Sequence, residues 1–146
     1  MVKPWSFLDK PFSEKALSTS NKISGAQLIA KSLQLESITK VFTLAGDHIL
    51  PVLDVMSDLN FHLVDTRHEQ AAAHMADAWG RITGQPGVTL FTTPGLANAI
   101  PGIAHAYHSE SPLISISGSA DLLELGRGAM QEIDQVGMTQ PVTKGS

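Results

Sequence analysis

Four short runs rich in branched and aromatic apolar residues, at 41–45, 61–65, 88–92 and 113–117, recur along the chain with helix-length stretches between them. Runs this short match strands buried on both faces, where no polar alternation is needed. Strand and helix alternating in this way imply an α/β fold: an open parallel sheet with helices on both faces. A first helix is expected from Ser24, its N-cap, with Leu28, Ile29, Leu33 and Leu35 as the apolar face. A second covers 48–59, with Ile49, Val52, Leu53 and Met56 at helical spacing and Pro51 tolerated in the first turn. A third, alanine-rich, runs over 69–81 and is stopped by Gly84 and Pro86, and a fourth follows Pro94-Gly95 to 107.

Residues 1–22 follow neither period and mix proline, serine and lysine with Trp5, Phe7 and Phe12, so they read as an N-terminal arm before one domain at 23–146. With 146 residues the chain can bury a core unaided, and its lack of cysteine excludes disulfides, thiolate zinc sites and a cysteine nucleophile. The arm carries four lysines against Asp9 and Glu14, so the overall charge of −4 leaves residues 23–146 at −6. An acidic domain without a basic stripe is not expected to bind nucleic acid. Lys3, Pro4, Asp9, Lys10 and Pro11 interrupt any signal-peptide core, and no stretch approaches about 18 apolar residues. A cytoplasmic protein with no membrane partner is the expectation.

Ligands of open α/β sheets collect at the carboxyl ends of the strands, which directs attention to 45–48, 65–69, 92–98 and 118–131. In the second of these, His68 and His74 do not form a zinc helix. Such a helix needs histidines at i and i+4, whereas Ala72 stands at i+4 and His74 lies about 240° around. Glu69 reads either as a first-turn acid favoured by the helix dipole or as a carboxylate aimed at a ligand among small neighbours. In the third loop, Thr92 to Asn98, one glycine cannot make a dinucleotide fingerprint, and no phosphate loop exists. Gly95 serves either a Pro-Gly turn or the close approach of a flat ligand. Asp47 is a candidate helix cap, and His48 is either a solvated ring or an acid/base group. His105 and His108, beside Glu110, read as surface residues.

Several segments agree in order and spacing with a known family. They are Val41-Phe42 running into Gly46 and then Ile49-Leu50-Pro51-Val52-Leu53-Asp54; Arg67-His68-Glu69-Gln70-Ala71-Ala72 with Ala78-Trp79-Gly80-Arg81 and Thr83-Gly84; Thr93-Pro94-Gly95-Leu96-Ala97-Asn98; Pro112 with Ile116-Ser117-Gly118; and Gln131-Glu132-Ile133-Asp134 to Pro141-Val142-Thr143-Lys144. Over 23–144 the chain resembles the N-terminal, pyrimidine-binding domain of thiamine diphosphate enzymes related to acetolactate synthase, benzaldehyde lyase and pyruvate oxidase. The resemblance implies a flavodoxin-like three-layer fold. It also gives Glu69 a role: hydrogen bonding to N1′ of the aminopyrimidine, favouring the imino tautomer that forms the C2 ylide. Gly46, Gly95 and Asn98 match the parts that lie against the cofactor.

Departures from the pattern bear on substrate. Acetolactate synthases typically show Pro-Gly-Gly-Ala where this chain has Ala45-Gly46-Asp47-His48. Keto-acid decarboxylases often carry an aspartate at the position of Asp47, and aldehyde lyases a histidine at that of His48. Met130 replaces a usual phenylalanine, and the histidine pair of pyruvate decarboxylases has no counterpart between Gly118 and Met130. The resemblance then favours a lyase or carboligase for a 2-keto acid or 2-hydroxy ketone, with His48 catalytic and Asp47, Met130 and Gln131 beside it in the substrate pocket.

The family binds diphosphate and Mg2+ through a Gly-Asp-Gly motif on another domain, and no such motif occurs here. No metal ligand is therefore expected in this chain. Its expected partner is the diphosphate domain of another subunit in a homodimer or homotetramer, the chain being incomplete at its C-terminus and inactive alone. The alternatives are a small subunit of a two-subunit 2-keto acid decarboxylase and a catalytically silent flavodoxin-like interaction module.

Overall fold

The computed structural model describes residues 22–146, so the expected arm lies outside the described residues but for Lys22. Ser24 caps α1 (Gly25–Leu35) reciprocally: its hydroxyl accepts the Gln27 N–H at 3.1 Å, and the Gln27 side chain accepts the Ser24 N–H at 2.9 Å. The buried face is Ala26, Ile29, Ala30 and Leu33. Leu28 and Leu35, expected there, are 51% and 85% exposed, because they fall outside the i, i+3, i+4, i+7 stripe that turned inward.

Four strands follow, β1 (Lys40–Thr43), β2 (His62–Asp65), β3 (Gly87–Phe91) and β4 (Leu113–Ser117), all parallel and ordered β2-β1-β3-β4. Every residue of β3 is buried, as a continuous apolar run requires. Successive side chains serve opposite faces. Val41, Val88 and Leu90 join Ala30, Leu33, Val52 and Met56 under α1 and α2 (Leu50–Asp58), the latter entered through a single 3-10 turn at Asp47–Ile49. Phe42 and Phe91 face α3 (Glu69–Thr83) and α4 (Thr93–His108) with Ala72, Ala73, Ala76, Leu96, Ala99 and Ile103. A short α5 (Gln135–Thr139), which the periodicity did not signal, runs into a 3-10 turn at Gln140–Val142. Among the described residues no helix is long and apolar enough to cross a membrane.

α3 meets α4 and β3 at points that have almost no side chain. A methyl group at Gly102 would stand 2.6 Å from the Ala73 Cβ, and one at Gly87 would stand 2.0 Å from the Ala76 carbonyl oxygen. Gly84 ends α3 at φ 72°, in the left-handed region where glycine has no steric penalty.

The far ends of these helices are fastened by Asp77, a buried carboxylate that the sequence reading did not single out. Arg81 grips it with two hydrogen bonds of 2.9 and 3.0 Å, Ser111 donates to it, and His105 Nδ1 lies 2.8 Å from its second oxygen. His105 is exposed, as expected of a surface residue, and its ring is engaged by Asp77. Burial alone would raise the Asp77 carboxyl, but the hydrogen bonds from Arg81, Ser111 and His105, with the Arg81 charge, reverse this and hold it at about 2. Because the folded value lies below the unfolded 3.8, the stability it contributes is complete above that value. It drains away as pH falls through 3.8 towards about 2. Asp77→Ala should cost about 2 to 3 kcal/mol in urea denaturation at pH 7. Asp77→Asn should flatten the acid limb of stability against pH.

Candidate functional site

In the order β2-β1-β3-β4 the chain first steps outward from β1 to β2, then returns past β1 to build β3 and β4 on its other side. The exits of β1 and β3 therefore diverge, and this switch point is where open α/β sheets bind ligands. Gly46 leaves β1 there and packs on Thr92, which leaves β3: a methyl at Gly46 would stand 2.4 Å from Thr92 Cγ2. The exit of β4 is tied in beside them. Thr93 Oγ1 donates to the Gly118 carbonyl at 3.0 Å, and Gln135 Nε2 donates to the same oxygen at 3.2 Å. A methyl at Gly118 would stand 2.6 Å from the His48 Cβ.

Glu69 opens α3 as expected. The Thr66 hydroxyl, buried, is shared between the carbonyls of Thr43 and His68 at 3.1 Å each, and the His68 ring caps the helix by accepting the Gln70 N–H at 3.2 Å. These contacts fix the backbone from which the half-buried Glu69 side chain extends across to α4. There Asn98 Nδ2 donates to Oε2 at 3.1 Å. Gly95 faces Glu69 itself, since a methyl at Gly95 would stand 2.8 Å from Oε1 and 2.9 Å from Cγ. The stretch read as a loop, Thr92 to Asn98, is helical from Thr93, with Pro94 in the first turn where its missing N–H is not needed.

His48 lies in the 3-10 turn, half-buried, and its Nδ1 is buried without a hydrogen-bond partner. Asp47 is exposed and makes no cap; the residue in the capping position is Gly46. Met130 is 67% exposed, and Gln131 is exposed with a left-handed φ of 62°. Their loop is folded around Glu132, whose carboxylate accepts the N–H groups of Gly126, Gly128 and Ala129. Those backbone donors, Gly126 foremost, hold its pKa below the usual carboxylate range. Among the described residues no hydrogen bond joins Met130 or Gln131 to Glu69, Asp47 or His48.

Residues 23–138 match the family described as "Thiamine pyrophosphate enzyme, N-terminal TPP binding domain". The chain belongs to that family. It is 40% identical over 119 residues to the "Probable acetolactate synthase" of Mycobacterium bovis, covering 81% of this chain and 22% of that protein. To the "2-hydroxyacyl-CoA lyase 2" of Danio rerio it is 42% identical over 121 residues, 82% of this chain and 20% of that one. The "Acetolactate synthase isozyme 3 large subunit" of Escherichia coli is 42% identical over 126 residues, 85% and 22% of the two chains. The chain thus spans about a fifth of the length of the curated relatives it matches.

Tested against the cofactor of this family, the residues fit one half of it. Glu69 is an acid at the carboxyl edge with one oxygen engaged by a neutral donor, a group suited to a basic ring nitrogen. A divalent metal finds no comparable place among the described residues. His74, Asp77 and His105 offer ligand atoms within 4.8 Å of one another, a convergence that the sequence reading did not anticipate. Two imidazoles suit Mg2+ poorly, however, and the Arg81 guanidinium already occupies Asp77. A groove of about 650 Å³ runs along β4, lined by Leu96, Ile103, Leu113, Val136 and Val142 among others. Glu69, Gly46, His48 and Asn98 are not part of it, and the acid stands at an open edge.

Gly46→Ala should lower the thermal midpoint by several degrees, because the methyl meets Thr92 Cγ2. Adding Thr92→Ser, which removes that carbon, should restore most of the loss, while Gly25→Ala, with open space around it, should leave the midpoint nearly unchanged. Differential scanning calorimetry of the four proteins checks this.

Proposed function

We propose that this chain is the pyrimidine half-site of a thiamine diphosphate-dependent lyase or carboligase acting on 2-keto acids or 2-hydroxy ketones. The observation that carries the reading is Glu69: an acid at the carboxyl edge, fixed by Thr66 and His68 behind it and by Asn98 across it, with its second oxygen against the bare Gly95. Thiamine diphosphate, when bound, supplies a thiazolium carbon able to add to a carbonyl group. Glu69 binds the ring nitrogen of its aminopyrimidine and holds the proton that tunes it. Gly46, Gly95 and Asn98 form the wall on that side. His48 handles the substrate proton, and Asp47, Met130 and Gln131 shape the pocket beside it.

The open position of Glu69 supports completion of the site by a second surface. In this reading that surface is a diphosphate domain of a partner subunit, which holds Mg2+ in a homodimer or homotetramer of a cytoplasmic enzyme.

In the holoenzyme, Glu69→Gln should slow hydrogen–deuterium exchange at the cofactor C2, followed by NMR, by about a hundredfold or more. Exchange at the wild-type rate would remove Glu69 from the chemistry. His48→Ala should lower cleavage or carboligation by about a hundredfold while changing cofactor affinity far less. Equal losses in both would refute an acid/base role for His48.

A further inference from the structure

The two oxygens of Glu69 are not equivalent. Oε2 accepts the Asn98 amide at 3.1 Å, whereas Oε1 lies on the Gly95 side, where a methyl would intrude to 2.8 Å. Among the described residues Oε1 accepts no hydrogen bond. An amide N–H can only donate, and of the two oxygens of a protonated carboxyl the carbonyl oxygen is the better acceptor. Asn98 therefore favours a carboxyl proton on the other oxygen, Oε1.

We propose that Asn98 is a positioning residue that reserves Oε1 of Glu69 as the single atom through which this carboxyl exchanges a proton with its ligand, and that Gly95, having no Cβ, leaves room for that oxygen. The resemblance set Asn98 and Gly95 against the cofactor; the geometry has both act through Glu69. Asn98 reaches it because α3 and α4 approach closely at Gly102 and Ala73. Its amide is a neutral donor, so it orients the carboxyl without the strong electrostatic pull that a lysine or arginine would exert towards permanent ionisation. Asn98 itself is exposed, which makes its replacement compatible with folding. The inference rests on the proposed meeting of Glu69 with the aminopyrimidine.

Holoenzyme carrying Asn98→Leu, Asn98→Asp or Glu69→Gln, compared with wild type by C2 hydrogen–deuterium exchange across pH and by cofactor titration, provides the test. Asn98→Leu frees the carboxyl to rotate and should slow exchange roughly tenfold to a hundredfold, with a much smaller change in cofactor affinity. Asn98→Asp sets a second carboxylate beside Oε2. Two acids so close share a proton, and the acid limb of the exchange profile should move up by about one pH unit or more. A merely structural role would lower the thermal midpoint without moving that limb. If Glu69→Gln suppresses exchange while both Asn98 variants keep the wild-type rate and profile, the role of Asn98 is overturned and that of Glu69 stands. If Glu69→Gln also leaves exchange intact, both fall.

Discussion

At Gly102 and Ala73 the contact between α3 and α4 is made by side chains of one carbon or none, and the placement of the candidate site depends on it. With Gly102 on Ala73 and Gly95 on Glu69, no bulky side chain separates these helices at those points. Polar groups on the two helices can then meet directly. This happens twice: Glu69 meets Asn98 near the carboxyl edge of the sheet, and Asp77 meets His105 two turns further along. The two carboxylates differ in what they receive. Asp77 takes two bonds from a guanidinium, one from a serine and one from an imidazole, and its capacity is spent inside the protein. Glu69 takes one bond from a neutral amide and keeps the rest.

The same economy of side chain governs the exits of the strands. Gly46 lies under Thr92 and Gly118 beside His48, so three chain segments that leave different strands come together without intervening side chains. Thr93 and Gln135 then close the arrangement on a single carbonyl oxygen, that of Gly118. The His48 ring is held in this stack with Nδ1 turned inward. Steric fit, more than hydrogen bonding, thus sets where His48 can lie.

Fold class and sheet direction were legible because buried parallel strands write themselves as unbroken apolar runs, and β3 is the clearest case. Cap chemistry was legible at Ser24 and Gly84, where one residue type answers one backbone need. Glu69 could be picked out because it follows a strand at the edge where ligands gather. What remained hidden depends on pairs far apart in sequence. Glycine at position 95 signals that something approaches closely, but only the packing of α4 on α3 reveals that Glu69 is one of its neighbours. Asp77 and Arg81 stood at i, i+4 spacing, a visible sign of an ion pair. The contribution of His105 and Ser111 needed the fold. Leu28 and Leu35 misled because hydrophobicity alone does not say which of two adjoining helical stripes turns inward.

The openness of the Glu69 edge has an energetic consequence. A carboxyl sharing a proton with a ring nitrogen in contact with bulk water gains little, since water competes for both groups and screens the charge. The same pair excluded from water is worth several times more, because the local dielectric falls and no water must be reordered as charge shifts. This chain therefore contributes preorganisation: Thr66 and His68 fix the backbone at the start of α3 and Asn98 holds the Glu69 carboxyl before any ligand arrives. Water exclusion has to come from whatever covers the edge. Dividing the work in this way keeps Glu69 cheap to fold, since an acid half-open to solvent avoids most of the desolvation that Asp77 must offset with its four bonds. In the proposed reading the carboxyl meets a low dielectric only when the second surface and the ligand are both in place, which is when a strong directed hydrogen bond is of use.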